Sequence, residues 1–250
     1  MDLDMEYLLE QLKAVMAIDS PTGYTKNAAE YVCGEYRRLG FDAHLTGKGG
    51  VLVCLNPDAP EDNGLLLMAH LDTLGGMVAE VTGTGRLRLT ALGGMQPNNG
   101  EAENVRIITR EGKTYSGTFQ LKDASVHVNG DYATTSRTWD SMEVVIDEDV
   151  SSAEETRALG IMTGDLVCFD PRTTVTSSGY IKSRFLDDKL SVAILLTQAK
   201  RLAEGKSALN RRVWHHITVF EEVGHGGSAA VPSGVTEAVS VDMGCVGDGL

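Results

Sequence analysis

Four segments of the sequence end on side chains that can bind divalent metal ions or transfer protons. They are His70 with Asp72, Asp187 with Asp188, Glu221 with Glu222, and Asp242. Neighbouring carboxylates are costly to bury unless a proton, a hydrogen-bond donor or a metal ion neutralises them. One histidine with several carboxylates suits Zn²⁺ or a similar ion, and the excess of carboxylates suits two ions that share a bridging aspartate. Two such ions can hold a hydroxide and polarise a carbonyl, while a glutamate that binds neither ion accepts the proton of the water.

Each segment also has a purely structural interpretation. A His-x-Asp pattern is common by chance, and the aspartate pair could begin a helix, because the helix dipole favours acidic residues there. Asp242 could simply end a strand, and the glutamate pair could belong to a solvated loop. The occurrence of all four segments at the ends of apolar or strand-like runs favours the metal site.

The elements that must position these residues alternate between helices and continuous apolar strands. Helices are predicted at about 4–18, 25–39 and 188–203, and strands at 51–55, 65–69, 213–220 and 239–241. This alternation predicts an α/β fold with a mostly parallel sheet and helices on both faces. Because ligands bind beyond the carboxyl ends of the strands in open α/β sheets, we expect the four segments to converge there.

The pattern changes between residues 75 and 170, where short β segments are separated by turn signals. Hairpins are predicted around residues 82–85 and 111–113, since a glycine-containing turn there lies between two β segments. The sequence therefore predicts an inserted, mostly β domain over 75–170. The α/β domain would be formed by residues 1–74 and 171–250.

Composition excludes several classes of partner. The formal net charge is −13 and the isoelectric point about 4.8, so nucleic acid and anionic membrane surfaces would repel the protein. The N-terminus lacks the pattern of a signal peptide, and no apolar stretch is long enough to span a membrane. The four cysteines form no Cys-x-x-Cys pair, which favours reduced thiols. Together these features predict a cytoplasmic protein.

Three of the motifs resemble those of metallopeptidase family 42, which includes tetrahedral and glutamyl aminopeptidases. They are Met-Ala-His-Leu-Asp at 68–72, Phe-Leu-Asp-Asp-Lys at 185–189 and Glu-Glu-Val-Gly at 221–224. Ser-Pro-Thr-Gly at 20–23 and the segment 160–165 also match, so the resemblance covers nearly all of the chain. The resemblance implies an aminopeptidase-like fold. It also implies an enzyme that removes N-terminal residues from short peptides.

The resemblance also implies a role for each site residue. His70 and Asp242 would bind one metal ion, Glu222 would bind a second, and Asp187 would bridge the two ions. Glu221 would be the general base. Asp72 would hydrogen-bond to His70 and fix its tautomer. The peptide bond between Asp187 and Asp188 would be cis.

The implied cofactors are two divalent metal ions per subunit, Zn²⁺ or Co²⁺, with Mn²⁺ also suited to these ligands. The implied assembly is a homo-oligomer, from a dimer to a dodecamer, formed through the inserted domain. The family's second metal ion also needs a histidine from a loop well beyond Leu250. We therefore expect this chain to be the N-terminal portion of a longer enzyme, which binds one ion tightly and the second poorly. Such a fragment could be inactive.

Two other functions remain open at this point. A family 20 type metallo-carboxypeptidase or deacylase also uses His-x-Asp and Glu-Glu motifs. The Asp-Asp-Lys at 187–189 and the early position of the β insert favour the aminopeptidase. A non-catalytic subunit or binding module is the other alternative, although it would have no chemical need for both Glu221 and Glu222.

Overall fold

The computed structural model describes residues 4–228 and 230–247, in two units. Residues Met1–Thr73 and Pro171–Leu250 form one unit, and Leu74–Asp170 form the other. The helices are α1 (Met5–Met16), α2 (Lys26–Arg38), α3 (Ala153–Ala158) and α4 (Leu186–Ala203). The strands are β1 (Ala43–Leu45), β2 (Val51–Cys54), β3 (Gly64–His70), β4 (Gly75–Val81), β5 (Leu87–Leu92), β6 (Glu103–Ile108), β7 (Thr114–Leu121), β8 (Met142–Ile146), β9 (Leu166–Phe169), β10 (Thr174–Val175), β11 (Ile181–Lys182), β12 (Val213–Thr218) and β13 (Val235–Ser240). Among the described helices, none combines the length and the apolar character needed to cross a membrane.

The sheet of the first unit has the strand order β1-β2-β12-β3-β13. β3 pairs in parallel with β12 and with β13, whereas β2 pairs antiparallel with β1 and with β12. The sheet is therefore mixed, and the prediction of a mostly parallel sheet is not confirmed. Part of the reason is local, because the short turn at 46–50 joins β1 and β2 as a hairpin, and a connection of that length joins antiparallel strands. Helices on both faces of the sheet stay a prediction.

The second unit is a closed barrel with the strand order β4-β5-β8-β7-β6-β9. The hairpins predicted around 82–85 and 111–113 are the antiparallel pairs β4–β5 and β6–β7. Inside this unit Phe119 packs edge-on against Phe169, with 5.4 Å between the ring centroids. Closure pairs the strands on both edges, so the barrel presents no free strand edge.

The first turn of α4 is tied to the end of α1 by a buried lysine. Lys189 is 1% exposed, and its Nζ donates hydrogen bonds to the main-chain oxygens of Val15 (2.9 Å) and Ile18 (2.7 Å). A positive charge at a helix C-terminus is favourable, because it pairs with carbonyls that have no partner within the helix. Lys189 thereby fixes the start of α4, which carries the aspartate pair.

His215 is a residue of β12, and its ring lies in the core of the first unit, where it contacts side chains of α2 and α4. The hydroxyl of Tyr36 is 2.9 Å from its Nδ1, and Oε1 of Gln198 is 3.1 Å from its Nε2. An amide oxygen only accepts, so Nε2 carries the proton and Nδ1 accepts from the tyrosine hydroxyl. Both ring nitrogens are therefore satisfied in the neutral state. Burial lowers the pKa of His215 to about 3.

Acidification is expected to destabilise the first unit through His215. In the unfolded chain this histidine protonates near its ordinary pKa of 6.5, whereas in the folded protein it stays neutral down to about pH 3. The stabilising contribution of the neutral His215 is therefore complete above about pH 6.5. It is lost progressively as the pH falls from 6.5 toward 3. Between pH 7 and pH 5, the unfolding free energy of the wild type should fall by about 2 kcal/mol more than that of a His215→Gln variant. Urea titrations at both pH values test this, and equal decreases in the two proteins would contradict it.

Candidate metal centre

The candidate site lies at the edge of the sheet where the parallel strands β3, β12 and β13 end. Thr218, the last residue of β12, pairs with His70, the last residue of β3. β13 runs parallel to β3 and ends at Ser240, two residues before Asp242. A 3₁₀ turn at Glu221–Val223 follows β12 at the same edge. Parallel register therefore places residues that are far apart in sequence beside one another.

His70 is buried in the site, with 2% of its surface exposed. Its Nδ1 lies 2.9 Å from the main-chain oxygen of Asp72, so this nitrogen donates a hydrogen bond. Its Nε2 lies 2.9 Å from Oδ1 of Asp187 and 3.5 Å from Oε2 of Glu221. Nε2 therefore faces the carboxylates, where it can carry either a second proton or a metal ion.

The electrostatics of His70 reflect these carboxylates. Burial alone would lower the pKa of His70, because it penalises the charged ring. The carboxylates of Asp188 and Asp72 outweigh this effect, so the pKa of His70 is raised above its ordinary value. The site thus attracts positive charge at Nε2, whether a proton or a cation supplies it.

Asp72 contacts His70 through its main chain and the glutamate turn through its side chain. Its carboxylate Oδ1 is 3.7 Å from Nδ1 of His70, beyond hydrogen-bond distance, and the main-chain oxygen of Asp72 accepts that hydrogen bond instead. The side chain is fully buried and turns toward the segment after β12. There it accepts the main-chain N–H groups of Glu221 (3.1 Å) and Glu222 (3.3 Å). The carboxylate of Asp72 thus holds the glutamate turn, and its backbone fixes the tautomer of His70.

The two aspartates at the start of α4 have different surroundings. The peptide bond between Asp187 and Asp188 is cis, as the family resemblance implies. The side chain of Asp187 is 47% exposed, whereas Asp188 is 1% exposed. Oδ2 of Asp188 accepts the main-chain N–H of His70 at 3.0 Å, and among the described residues its buried Oδ1 has no hydrogen-bond partner. Burial raises the pKa of Asp188 to about 7.

The ligand-type atoms form two overlapping groups. One consists of His70, Asp187 and Glu222, and the other of His70, Asp188 and Asp242; within each group, the atoms lie within 4.8 Å of one another. The structure thus brings together the four residues predicted as ligands. The second group also contains Asp188, a residue to which the sequence analysis assigns no ligand role. The signal for Asp188 was its position inside the first turn of a predicted apolar helix, where a carboxylate becomes buried.

Glu222 is a half-buried carboxylate within this cluster. Burial is the main reason that its pKa is raised, to about 7, and the neighbouring carboxylates of Asp187 and Asp72 add to the effect. Glu221 belongs to neither ligand group, and its side chain is 45% exposed. Glu222 therefore belongs to the ligand cluster, and Glu221 lies beside the cluster.

Comparisons with known proteins agree with this fold. The sequence model of the M42 glutamyl aminopeptidases matches residues 49–250. The putative aminopeptidase YhfE of Bacillus subtilis is 39% identical over 241 residues, which are 96% of this chain and 69% of that protein. The lysyl aminopeptidase of Pyrococcus furiosus is 25% identical over 235 residues, 94% of this chain and 65% of that protein.

Solved structures give the same result. A TET aminopeptidase from a marine Thaumarchaeota archaeon superimposes with a TM-score of 0.84 at 21% identity, over 98% of this chain and 67% of that one. The TET1 peptidase of Pyrococcus horikoshii, which can assemble into a tetrahedron or a large octahedral shell, gives 0.79 at 26% identity, over 94% and 68%. The chain spans about two thirds of the length of these relatives.

Proposed function

Because the chain belongs to the M42 glutamyl aminopeptidase family, we propose that it acts as a metal-dependent aminopeptidase that removes N-terminal residues from short peptides. The observation that carries this proposal is the cluster of carboxylates around His70, of which Asp187 lies 2.9 Å from Nε2. The family membership supports the reaction class, and the geometry supports a role for each residue.

The residues of the cluster fit divalent cations. Oδ1 of Asp188 is buried without a donor among the described residues, and burial raises the pKa of Glu222. A cation bound to each carboxylate would offset the cost of burying its negative charge. Imidazole nitrogen and carboxylate oxygens are ligands that Zn²⁺, Co²⁺ and Mn²⁺ accept. When bound, such ions supply Lewis acidity toward the scissile carbonyl and toward a water molecule.

Two ions would have to divide these ligands, because His70 belongs to both groups. One imidazole nitrogen binds one ion, so His70 serves only one of the two sites. We assign His70 and Asp242 to the first ion and Glu222 to the second, with Asp187 between them. The position of Asp188 beside Asp242 makes it a further candidate ligand of the first ion.

Glu221 is assigned the proton transfer. Its carboxylate lies outside both ligand groups yet within 3.5 Å of Nε2 of His70, so it is close to the reaction without being held by metal. In this role it accepts the proton of the attacking water and then donates it to the amine of the leaving peptide. The side chain is partly open to solvent, which gives water access to it.

We further propose that the protein assembles into homo-oligomers through the inserted barrel. The shells formed by the Pyrococcus horikoshii relative support assembly into homo-oligomers, and the role of the barrel is part of the proposal. Neither the family match nor the relatives favour a family 20 type carboxypeptidase or deacylase.

The activity is tested by comparing substrates with free and blocked N-termini. The metal-loaded protein should release p-nitroaniline from aminoacyl p-nitroanilides and leave their N-acetylated counterparts intact. A chelator should abolish the release, and added Zn²⁺, Co²⁺ or Mn²⁺ should restore it. Calorimetric titration with the same ions measures binding independently of turnover. Cleavage of N-acyl amino acids instead of free N-termini would contradict the proposal.

A further inference from the structure

The loop at 20–23, between α1 and α2, has no role in the proposed reaction, although it is one of the segments that carry the family resemblance. It packs against the chain just after β3. Oγ of Ser20 donates to the main-chain oxygen of Leu71 at 2.8 Å. The main chain is paired as well, because Thr73 N donates to Ser20 O (2.9 Å) and Thr22 N donates to Thr73 O (3.1 Å). The loop therefore clamps the segment that contains Asp72.

The side chain of Thr22 contacts the site directly. Its Oγ1 donates a 2.7 Å hydrogen bond to Oδ2 of Asp72, and both residues are buried, at 7% and 0% exposure. The same carboxylate accepts the main-chain N–H groups of Glu221 and Glu222 at the longer distances of 3.1 and 3.3 Å. The threonine hydroxyl thus makes the shortest of these three contacts.

We propose that Thr22 is a positioning residue for the proton transfer, because its hydroxyl fixes the Asp72 carboxylate that holds the turn bearing Glu221. The terminal torsion of an aspartate is soft, so a carboxylate keeps one orientation only where its hydrogen bonds impose it. Without the hydroxyl, the carboxylate can rotate, and the glutamate turn loses its fixed acceptors. This inference rests on the proposed function, since it assigns a purpose to the position of Glu221.

Thr22 could instead serve only to fold the loop. The main-chain bonds of the loop do not involve the hydroxyl, and they include a further bond from Tyr24 N to Pro21 O at 2.8 Å. Removal of the hydroxyl should therefore leave the loop folded and release only the carboxylate of Asp72. The two roles differ in what they affect, because misplacing a catalytic group lowers turnover and loss of folding lowers stability.

Thr22→Val removes the hydroxyl at nearly constant volume, and Thr22→Ser retains it. In the metal-loaded protein, we expect Thr22→Val to lower kcat for an aminoacyl p-nitroanilide by roughly 10–100-fold, with KM changed by less than about 2-fold. Thr22→Ser should recover most of the turnover. Thr25→Val is the matched control, because Thr25 is also buried but makes no side-chain capping bond at the start of α2.

Amide hydrogen exchange at Glu221 and Glu222 provides a readout that does not depend on turnover. Exchange at both amides should be faster in Thr22→Val than in the wild type, in Thr22→Ser or in Thr25→Val. If the wild type shows no peptide hydrolysis, the proposed function fails, while the exchange rates still decide whether Thr22 positions the turn. Unchanged exchange in Thr22→Val, the same loss of turnover in both valine variants, or failure of Thr22→Val to fold would each overturn the inference.

Discussion

Replacing Glu221 with glutamine is expected to lower the turnover of peptide hydrolysis by roughly 10²–10⁴-fold. Glutamine has the shape of glutamate but cannot accept the proton of the attacking water. Because Glu221 lies outside both groups of ligand atoms, the substitution should leave the affinity for metal ions unchanged. The expected pattern is therefore a loss of kcat with normal metal binding.

Two measurements separate this role from a structural one. Kinetics with an aminoacyl p-nitroanilide report the loss of turnover, and calorimetric titration with Zn²⁺ reports the affinity. Glu30→Gln is the control, since Glu30 is an exposed glutamate of α2 whose carboxylate is 3.8 Å from Nζ of Lys26. Wild-type turnover in Glu221→Gln would rule out the proposed base, and weakened Zn²⁺ binding would instead make Glu221 a ligand.

Replacing His70 with alanine should have the largest effect on metal binding. His70 belongs to both groups of ligand atoms and supplies the nitrogen ligand in each. Without His70, each group loses its nitrogen ligand, and the remaining carboxylates repel one another. We expect the affinity for the tightest Zn²⁺ ion to fall by more than the roughly 10–100-fold loss that follows removal of partners outside the ligand shell.

Calorimetric titration of His70→Ala tests this expectation directly. His44→Ala is the matched control, because His44 is exposed on β1 and takes part in neither ligand group. An unchanged Zn²⁺ isotherm in His70→Ala would show that the cluster around His70 is not the metal site. An equal loss in both variants would point to an effect of histidine content in general.

The candidate metal ligands could be proposed from the sequence because they follow apolar or strand-like runs. His70, Glu222 and Asp242 were found in this way, and the hairpins of the barrel were found from their turn residues. The pairing of Thr218 with His70 could not be predicted, since strand register depends on contacts between segments about 150 residues apart. For the same reason, local sequence did not reveal that β2 is antiparallel to β12.

Side-chain direction was a second limit. The family resemblance implies a hydrogen bond between Asp72 and His70, but which atom of Asp72 faces the ring depends on how the chain turns after β3. Thr22 lies in a Ser-Pro-Thr-Gly segment that breaks a helix, and its composition is that of any turn. Its contact with Asp72 is visible only once the loop is packed against the end of β3.

The hydrogen bonds of Asp72 also set an order of events during folding. Thr22 is 50 residues from Asp72 in the chain, and Glu221 is 149 residues away on the other side. Closing such separations costs chain entropy that only a largely assembled sheet can repay. We therefore expect the glutamate turn to reach its place late, after the N-terminal loop, β3 and β12 have docked. A chain still emerging from the ribosome would therefore lack the proposed metal centre until synthesis has passed both β12 and Asp242.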